Sequence, residues 1–243
     1  MLDKDIIPTK EKKKRNKKVH NEDDVVLYDK IIRKTFLLRN LDFFKKENTI
    51  TVNEFGITRK RIADIFHFDF GTNNSTIFEI KGEKDNTNRL EQQLNIYSSY
   101  ANIVYVITAE NHLDKVEELL SRKVYGKNIG IIVVDKDVNF KEIKRATYMK
   151  CFFDTFIRNL DKEELELLCE EKDLKVYGSK NNIIGYLKRH VTYEELINSL
   201  RNKLNKYYTK ECPNCKSNLY YNKYIRNIKT SICFECGSII SEG

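Results

Sequence analysis

Apolar positions along the chain alternate between helical and strand-like rhythms. Ile31, Ile32, Phe36, Leu37, Leu41 and Phe44 recur at near-helical spacing and predict a first helix over Ile31 to Phe44. Two strand-like runs follow, at about 61–69 and 75–81, with the polar cluster Gly71-Thr72-Asn73-Asn74-Ser75 as the turn between them. Asn86 or Thr87 can cap a helix reaching about Tyr100, with Leu90, Gln93, Leu94 and Tyr97 on one stripe. Ile103 to Ile107 reads as a buried strand, 112–123 as a helix with Leu113, Val116, Leu119 and Leu120 inward, and Ile129 to Val134 as another buried strand. Strand, helix and strand, with both strands apolar throughout, predict a βαβ unit and a parallel pair.

The two strand-like runs carry the candidate chemistry. If residues 71–74 form the loop, Phe70 pairs with Ser75 and Asp64 lies opposite Lys81. Glu79 shares the face of Lys81 because strand side chains alternate. Two carboxylates and an ammonium then converge on one patch. Such a patch suits a hard cation such as Mg²⁺, which takes carboxylate oxygens and keeps waters for reaction. Phosphodiester cleavage uses that arrangement: the ion acidifies a water and offsets phosphate charge, and the lysine orients or neutralises. A surface hairpin with a weak Asp–Lys pair has the same spacing, so spacing alone leaves both readings open.

Context adds to the spacing. Asp64 and Glu79-Ile80-Lys81, followed by Asp85, Arg89-Leu90, Gln93 and Tyr97, resemble the PD-(D/E)xK nuclease superfamily over roughly residues 50–135. Ala63 stands where the superfamily's name has proline. Asn53-Glu54-Phe55 is similar to the segment where many members carry an extra acidic residue on the first helix. The resemblance implies an α/β restriction-endonuclease-like mixed sheet flanked by helices. It implies that Asp64 and Glu79 bind Mg²⁺ or Mn²⁺, that Lys81 assists catalysis, and that Glu54 and Gln93 are auxiliary. Read from the residues alone, Gln93 is equally a helix-face side chain bonding to nearby backbone, and Tyr97 a packing residue.

Cys212-Pro-Asn-Cys215 and Cys233-Phe-Glu-Cys236 are two C-x-x-C pairs separated by 17 residues, with hairpin-like sequence between them. That spacing matches a zinc ribbon in which each pair supplies two thiolates to a tetrahedral Zn²⁺. Disulfides would call for a secreted chain, and Met1-Leu-Asp-Lys-Asp does not start a signal peptide. A thioredoxin-like site would use one such pair. Closed coordination leaves this metal a structural role. Cys151 and Cys169 read as free thiols, buried on helices in a reducing cytosol.

Between these parts, Leu165, Leu168, Leu174, Gly178, Lys180, Ile183, Ile184 and Leu187 follow the spacing of the SAP domain, a helix–extended–helix module that commonly binds DNA. Gly178 permits the turn, and Ser179 can cap the second helix. Lys180, Lys188 and Arg189 are the candidate phosphate contacts. An ordinary helical hairpin bracing the core has the same pattern.

The formal net charge of +8 is concentrated at the ends. Residues 1–18 hold eight basic and three acidic side chains, residues 206–243 six and three, and the stretch between is formally neutral. A polyanion such as DNA is the partner such ends suit. No apolar run approaches the ~20 residues of a membrane span, and no Gly-rich phosphate loop is present. The four histidines are scattered, and His67 should face away from Asp64.

The expected organisation is a basic tail over 1–24, a nuclease domain over 25–150, a helical SAP-like module with a linker helix over 151–205, and a zinc ribbon over 206–243. The expected activity is metal-dependent hydrolysis of DNA by a cytoplasmic endonuclease. A non-catalytic DNA-binding protein on the same scaffold, and a nuclease directed at RNA, remain open at this point.

Overall fold

The computed structural model describes residues 26–58, 61–151, 157–158, 160, 162–175, 178–208, 211–217, 220–225, 228–233 and 235–242. The basic stretch 1–24 lies outside them. A mixed six-stranded sheet runs in chain order: β1 (Thr49–Thr58), β2 (Arg61–Asp69), β3 (Asn74–Lys81), β4 (Ile103–Ala109), β5 (Gly130–Val134) and β6 (Phe140–Lys144). β1, β2 and β3 are antiparallel, β3, β4 and β5 parallel, and β5 and β6 antiparallel.

The expected first helix is two helices. α1 spans Asp29–Arg39 and α2 spans Leu41–Phe44. Asn40 leaves the helical region at φ −118° and turns its amide nitrogen back onto the Phe36 carbonyl at 2.8 Å, which ends α1. Ile32, Phe36, Leu37 and Phe44 bury against Ile65, Phe78, Ile80, Ile107 and Val134 on one face of the sheet.

The other face is covered by α3 (Leu90–Tyr100) and α4 (Leu113–Ser121). Each connects two parallel strands, and right-handed crossovers put both on the same side. Leu90, Leu94, Tyr97, Val116 and Leu120 pack there on Ile77, Val104, Val106 and Ile131. Buried from both sides, β3 has no exposed position along its length. Side chains on such a strand are held in place by packing, which suits it to carry a site.

Two strands had no counterpart in the apolar pattern. β6 pairs along the sheet's margin, with Lys141, Glu142 and Ile143 exposed. In β1 the buried set reads Ile50 and Val52, then Phe55 and Ile57, so the alternation slips by one at Glu54. Glu54 has φ +55°, a left-handed conformation uncommon for a residue other than glycine, and this is what breaks the rhythm.

The β2–β3 register is displaced by two residues from the expected one. Asp69 pairs with Asn74 and Phe68 with Ser75. The Asp69 carboxylate accepts from the Gly71 and Thr72 amides at 2.8 and 3.2 Å, closing the turn early. Phe70 instead donates its amide to the Asn48 carbonyl at 2.7 Å. An even displacement keeps every side chain on its own face. The convergence of the two carboxylates therefore survives the correction.

Three further helices, α5 (Lys162–Glu171), α6 (Lys180–Leu187) and α7 (Tyr193–Tyr208), lie on the α3 side. Leu165, Leu168, Ile183, Ile184 and Leu187 pack together, and one apolar cluster joins them to α3 and the sheet. Gly178 has φ +120°, and the Ser179 hydroxyl accepts from the Asn182 amide at α6's start, both as the spacing required. Arg201 of α7 donates to the Phe70 carbonyl at 2.7 Å and lies over the Phe70 ring. Cys169 is buried on α5. Cys151 is buried outside any helix, its thiol donating to the Tyr100 carbonyl at 3.2 Å.

A second sheet, β7 (Tyr220–Ile225), β8 (Ile228–Cys233) and β9 (Ile239–Glu242), is antiparallel and carries the cysteine pairs. It sits against β1: Asn53 donates to the Tyr220 carbonyl at 2.7 Å, and Lys45 pairs with Glu235 at 2.6 Å.

Candidate active site and metal centre

β3 ends where the two helical layers part, and there Glu79 and Lys81 face the α3 side with Ile77. Both are buried, at 2% and 8% exposure. Lys81 Nζ lies 2.7 Å from Glu79 Oε1 and 3.2 Å from Gln93 Oε1. Gln93 also donates its Nε2 to Glu79 Oε1 at 2.5 Å. Tyr97, one turn further along α3, donates its hydroxyl to Glu79 Oε2 at 3.1 Å and to the Ile62 carbonyl at 2.8 Å. A buried tyrosine whose hydroxyl also holds a carboxylate is both packing and site.

Asp64 arrives from β2. The pairing of β2 with β3 runs as far as Ile65 and Phe78, and beyond it the Asp64 carboxylate takes the place of a ladder bond. Its Oδ2 accepts from the Ile80 amide at 2.7 Å. Its Oδ1 accepts from Arg33 Nη2 at 2.9 Å.

Burial, with the Glu79 carboxylate beside it, pushes the Asp64 carboxyl up to about 7, against the pull of Arg33, the Ile80 amide and Lys81. Glu79 is raised as well, by burial, with Lys81, Tyr97 and Gln93 pulling the other way. Burial and both carboxylates push the Tyr97 phenol up, which keeps it a neutral donor. This is a centre short of positive charge.

The groups open into a cleft of about 580 Å³ lined by Asp29, Asp64, Glu79, Lys81, Asp85, Arg89 and Gln93, with Asn86 and Asn88 at α3's start. Gly82 shapes its wall: a Cβ there would meet the Leu27 carbonyl at 2.4 Å, so only glycine lets β3's end pass so close to the start of α1.

Asp64, Glu79, Lys81 and Gln93 are thus brought together from three elements. Glu54 is a correction in part: it lies on β1, not on a helix, because the chain from Thr49 pairs with β2. It joins the group through Arg33, whose Nη1 lies 3.0 Å from Glu54 Oε1. Arg33, Asp29, Asp85 and Arg89 had no assigned role in the sequence reading. Arg33 left one trace there, a charged residue adjoining the apolar stripe of α1, four residues after Asp29.

Lys180, Lys188 and Arg189 sit on or just after α6, away from the residues lining the cleft. Lys180 Nζ donates to the Arg158 carbonyl at 2.8 Å, and the Arg189 guanidinium lies over the Tyr186 ring. His67 faces Phe43, Phe44 and Thr51, and burial lowers it to about 4.

The cysteine centre is built twice over. The Lys216 amide donates to Cys212 O, and the Gly237 amide to Cys233 O. The Cys212 and Cys233 amides donate to Ser217 O and Ser238 O, both at 2.8 Å. Lys216 and Gly237 each have positive φ, 60° and 72°. Two matching turns therefore aim two thiols apiece inward. All four sulfurs lie within 4.8 Å of one another, and the group can hold a metal ion. None of the four is in a disulfide.

A family model described as bacteriophage P4 protein cII matches residues 27–231. The chain belongs to this family. The matched segment includes every residue of the cleft and the first cysteine pair. No curated protein matches the chain. Among solved structures, a protein of unknown function from Silicibacter pomeroyi, SPO1766, is similar at 12% identity and a TM-score of 0.34, covering 58% of this chain and 92% of its own. Among the described residues of this family member, no helix is long and apolar enough to cross a membrane.

Proposed function

We propose that this protein is a metal-dependent nuclease that hydrolyses phosphodiester bonds of DNA, with a restriction-endonuclease-like core. The observation that carries the reading is the meeting of Asp64, Glu79, Lys81 and Gln93 in one cleft. The donor set suits Mg²⁺ or Mn²⁺: hard carboxylate oxygens, buried and mutually repelling, which a divalent cation would relieve. Asp64 and Glu79 would hold the ion, which when bound acidifies a water and offsets phosphate charge.

The remaining steps belong to the chain's own groups. Lys81 positions the attacking water and meets charge growing on the phosphate. Gln93 and Tyr97 fix Glu79 from two sides, so its oxygens keep one orientation. Glu79 and Lys81 lie buried at the floor of the cleft, where low dielectric strengthens each of these interactions.

The cysteine centre fits structural Zn²⁺. Two of its sulfur pairs, Cys212–Cys236 and Cys215–Cys233, are each 3.5 Å apart. Tetrahedral zinc thiolates with bonds of about 2.3 Å require roughly 3.8 Å, so a small expansion would seat the ion. Lys180, Lys188 and Arg189, on a SAP-like helical pair, and the basic ends would grip the DNA backbone.

The test is incubation with labelled single-stranded, duplex, branched and RNA substrates in Mg²⁺. Expected is cleavage of DNA that EDTA abolishes and that Asp64→Ala and Lys81→Ala each remove while the fold persists. Binding without cleavage, indifferent to Asp64, would support a non-catalytic DNA-binding protein instead.

A further inference from the structure

We infer that Arg33 is the resident cation of the acidic cleft, a positioning residue that occupies Asp64 until a divalent cation displaces it. The inference rests on the metal-dependent reading above and adds to it what sets the affinity of the site.

Arg33 projects from α1 with its side chain 6% exposed. A guanidinium stays protonated under all ordinary conditions. A charge so buried must be paired, and Arg33 is paired three times: Asp64 at 2.9 Å, Glu54 at 3.0 Å and Asp29 at 3.4 Å. Yet among the described residues its buried Nε has no hydrogen-bond partner. Leaving a buried donor unmade is costly, so this position is not the best one the side chain could have. It is a compromise imposed by the carboxylates.

Asp64 has both oxygens committed, and the two commitments differ in kind. The Ile80 amide belongs to a strand buried on both faces and cannot retreat. Arg33 holds Oδ1 from the end of a flexible side chain, and it can. An ion that takes Asp64 therefore competes with Arg33 for Oδ1.

The charges point the same way. Asp29, Asp64, Glu79 and Asp85 line the cleft with Lys81 and Arg89, while Glu54 and Arg33 adjoin it through the Asp64 contact. Counted as fully ionised, five carboxylates face three cations, and the surplus is the charge of one divalent ion. With the ion bound, Glu54 and Asp29 remain to receive the displaced guanidinium.

The experiment titrates Mn²⁺ into the full-length protein by calorimetry, for the unmodified chain, Arg33→Lys and Arg33→Gln. Expected is tighter binding in the order Gln, Lys, unmodified, with Arg33→Gln gaining roughly tenfold or more, the modest end of what releasing a buried ion pair supplies. Without divalent ion, Arg33→Gln should melt at lower temperature than the unmodified chain and recover more of it on adding Mn²⁺. In the unmodified protein, the Arg33 Nε–H resonance should move on saturation with Mg²⁺. This last arm needs no variant to fold. Equal affinities across the three chains, or a resonance indifferent to saturating Mg²⁺, overturn the inference and leave the metal-dependent reading standing. Absence of saturable binding in every chain overturns both.

Discussion

The cleft and the cysteine centre both gather side chains that can ligate a metal, and they do so in opposite ways. The cysteine centre draws its ligands from two short turns, each with its own backbone bonds, and buries only Cys212 and Cys233 of the four. The cleft draws its groups from α1, β2, β3 and α3, each anchored in a different part of the apolar layers. One is a site that a metal would organise. The other is a site that the fold organises and a metal would relieve. The difference teaches where stability would come from in each: from an ion in the first, from packing around buried charge in the second.

The largest expected effect breaks the comparison at the cysteine end. Replacing Cys212 with serine should lower the zinc content from about one ion per chain to near zero and unfold β7–β9, since such sites supply on the order of 10 kcal/mol. Metal analysis and amide exchange would show it. The six-stranded sheet should persist, and its loss would mean the two regions fold as one. At the cleft, Asp64→Asn and Lys81→Met should each lower Mg²⁺-dependent DNA cleavage by roughly 10²–10³-fold while the protein stays folded, the scale of removing one preorganised charged group. Unchanged rates would sink the assignment.

Smaller again is Tyr97→Phe. It removes the donor to Glu79 and to the Ile62 carbonyl at once, and should cost about 1–3 kcal/mol of unfolding free energy by urea denaturation, because buried acceptors are left unmade. A neutral result would place Tyr97 among packing residues only.

The last prediction concerns pH. The Asp64 carboxyl stands at about 7 in the folded protein against 3.8 for an ordinary aspartate, so folding favours its protonated form. That contribution is complete below about pH 4 and is lost as pH rises toward 7, in protein stripped of divalent ions. His67 works the other way: its charged form is disfavoured by burial, so stability falls as pH drops from about 6.5 toward 4. Comparing the unmodified chain with Asp64→Asn isolates the carboxylate. The variant should lose less stability between pH 4 and 7, and parallel curves would show that Asp64 ionises without penalty.

What could be read from the chain follows the range over which each feature is encoded. The cysteine turns are local, and Cys-x-x-Cys shows them directly. The parallel strands and their two helices were legible because burial on both faces leaves unbroken apolar runs at Ile103 and Ile129. The register of β2 against β3 was not, because it turns on the Asp69 side chain closing the loop two residues early. β1 was hidden by a conformation, the positive φ of Glu54, that no periodicity anticipates. Arg33 was hidden because its meaning depends on Asp64 and Glu54, which lie 31 and 21 residues further along.

The contact of Asn53 with Tyr220 has a bearing on how the protein would fail. β1 is a terminal strand of the six-stranded sheet, and β7 lies against it. An uncovered margin of this kind offers a row of unpaired backbone groups to any other chain. The cysteine-bearing lobe therefore doubles as a guard on the sheet, and a chain whose cysteine turns cannot form is expected to clump with its own copies through Thr49–Thr58 before the cleft has lost its shape.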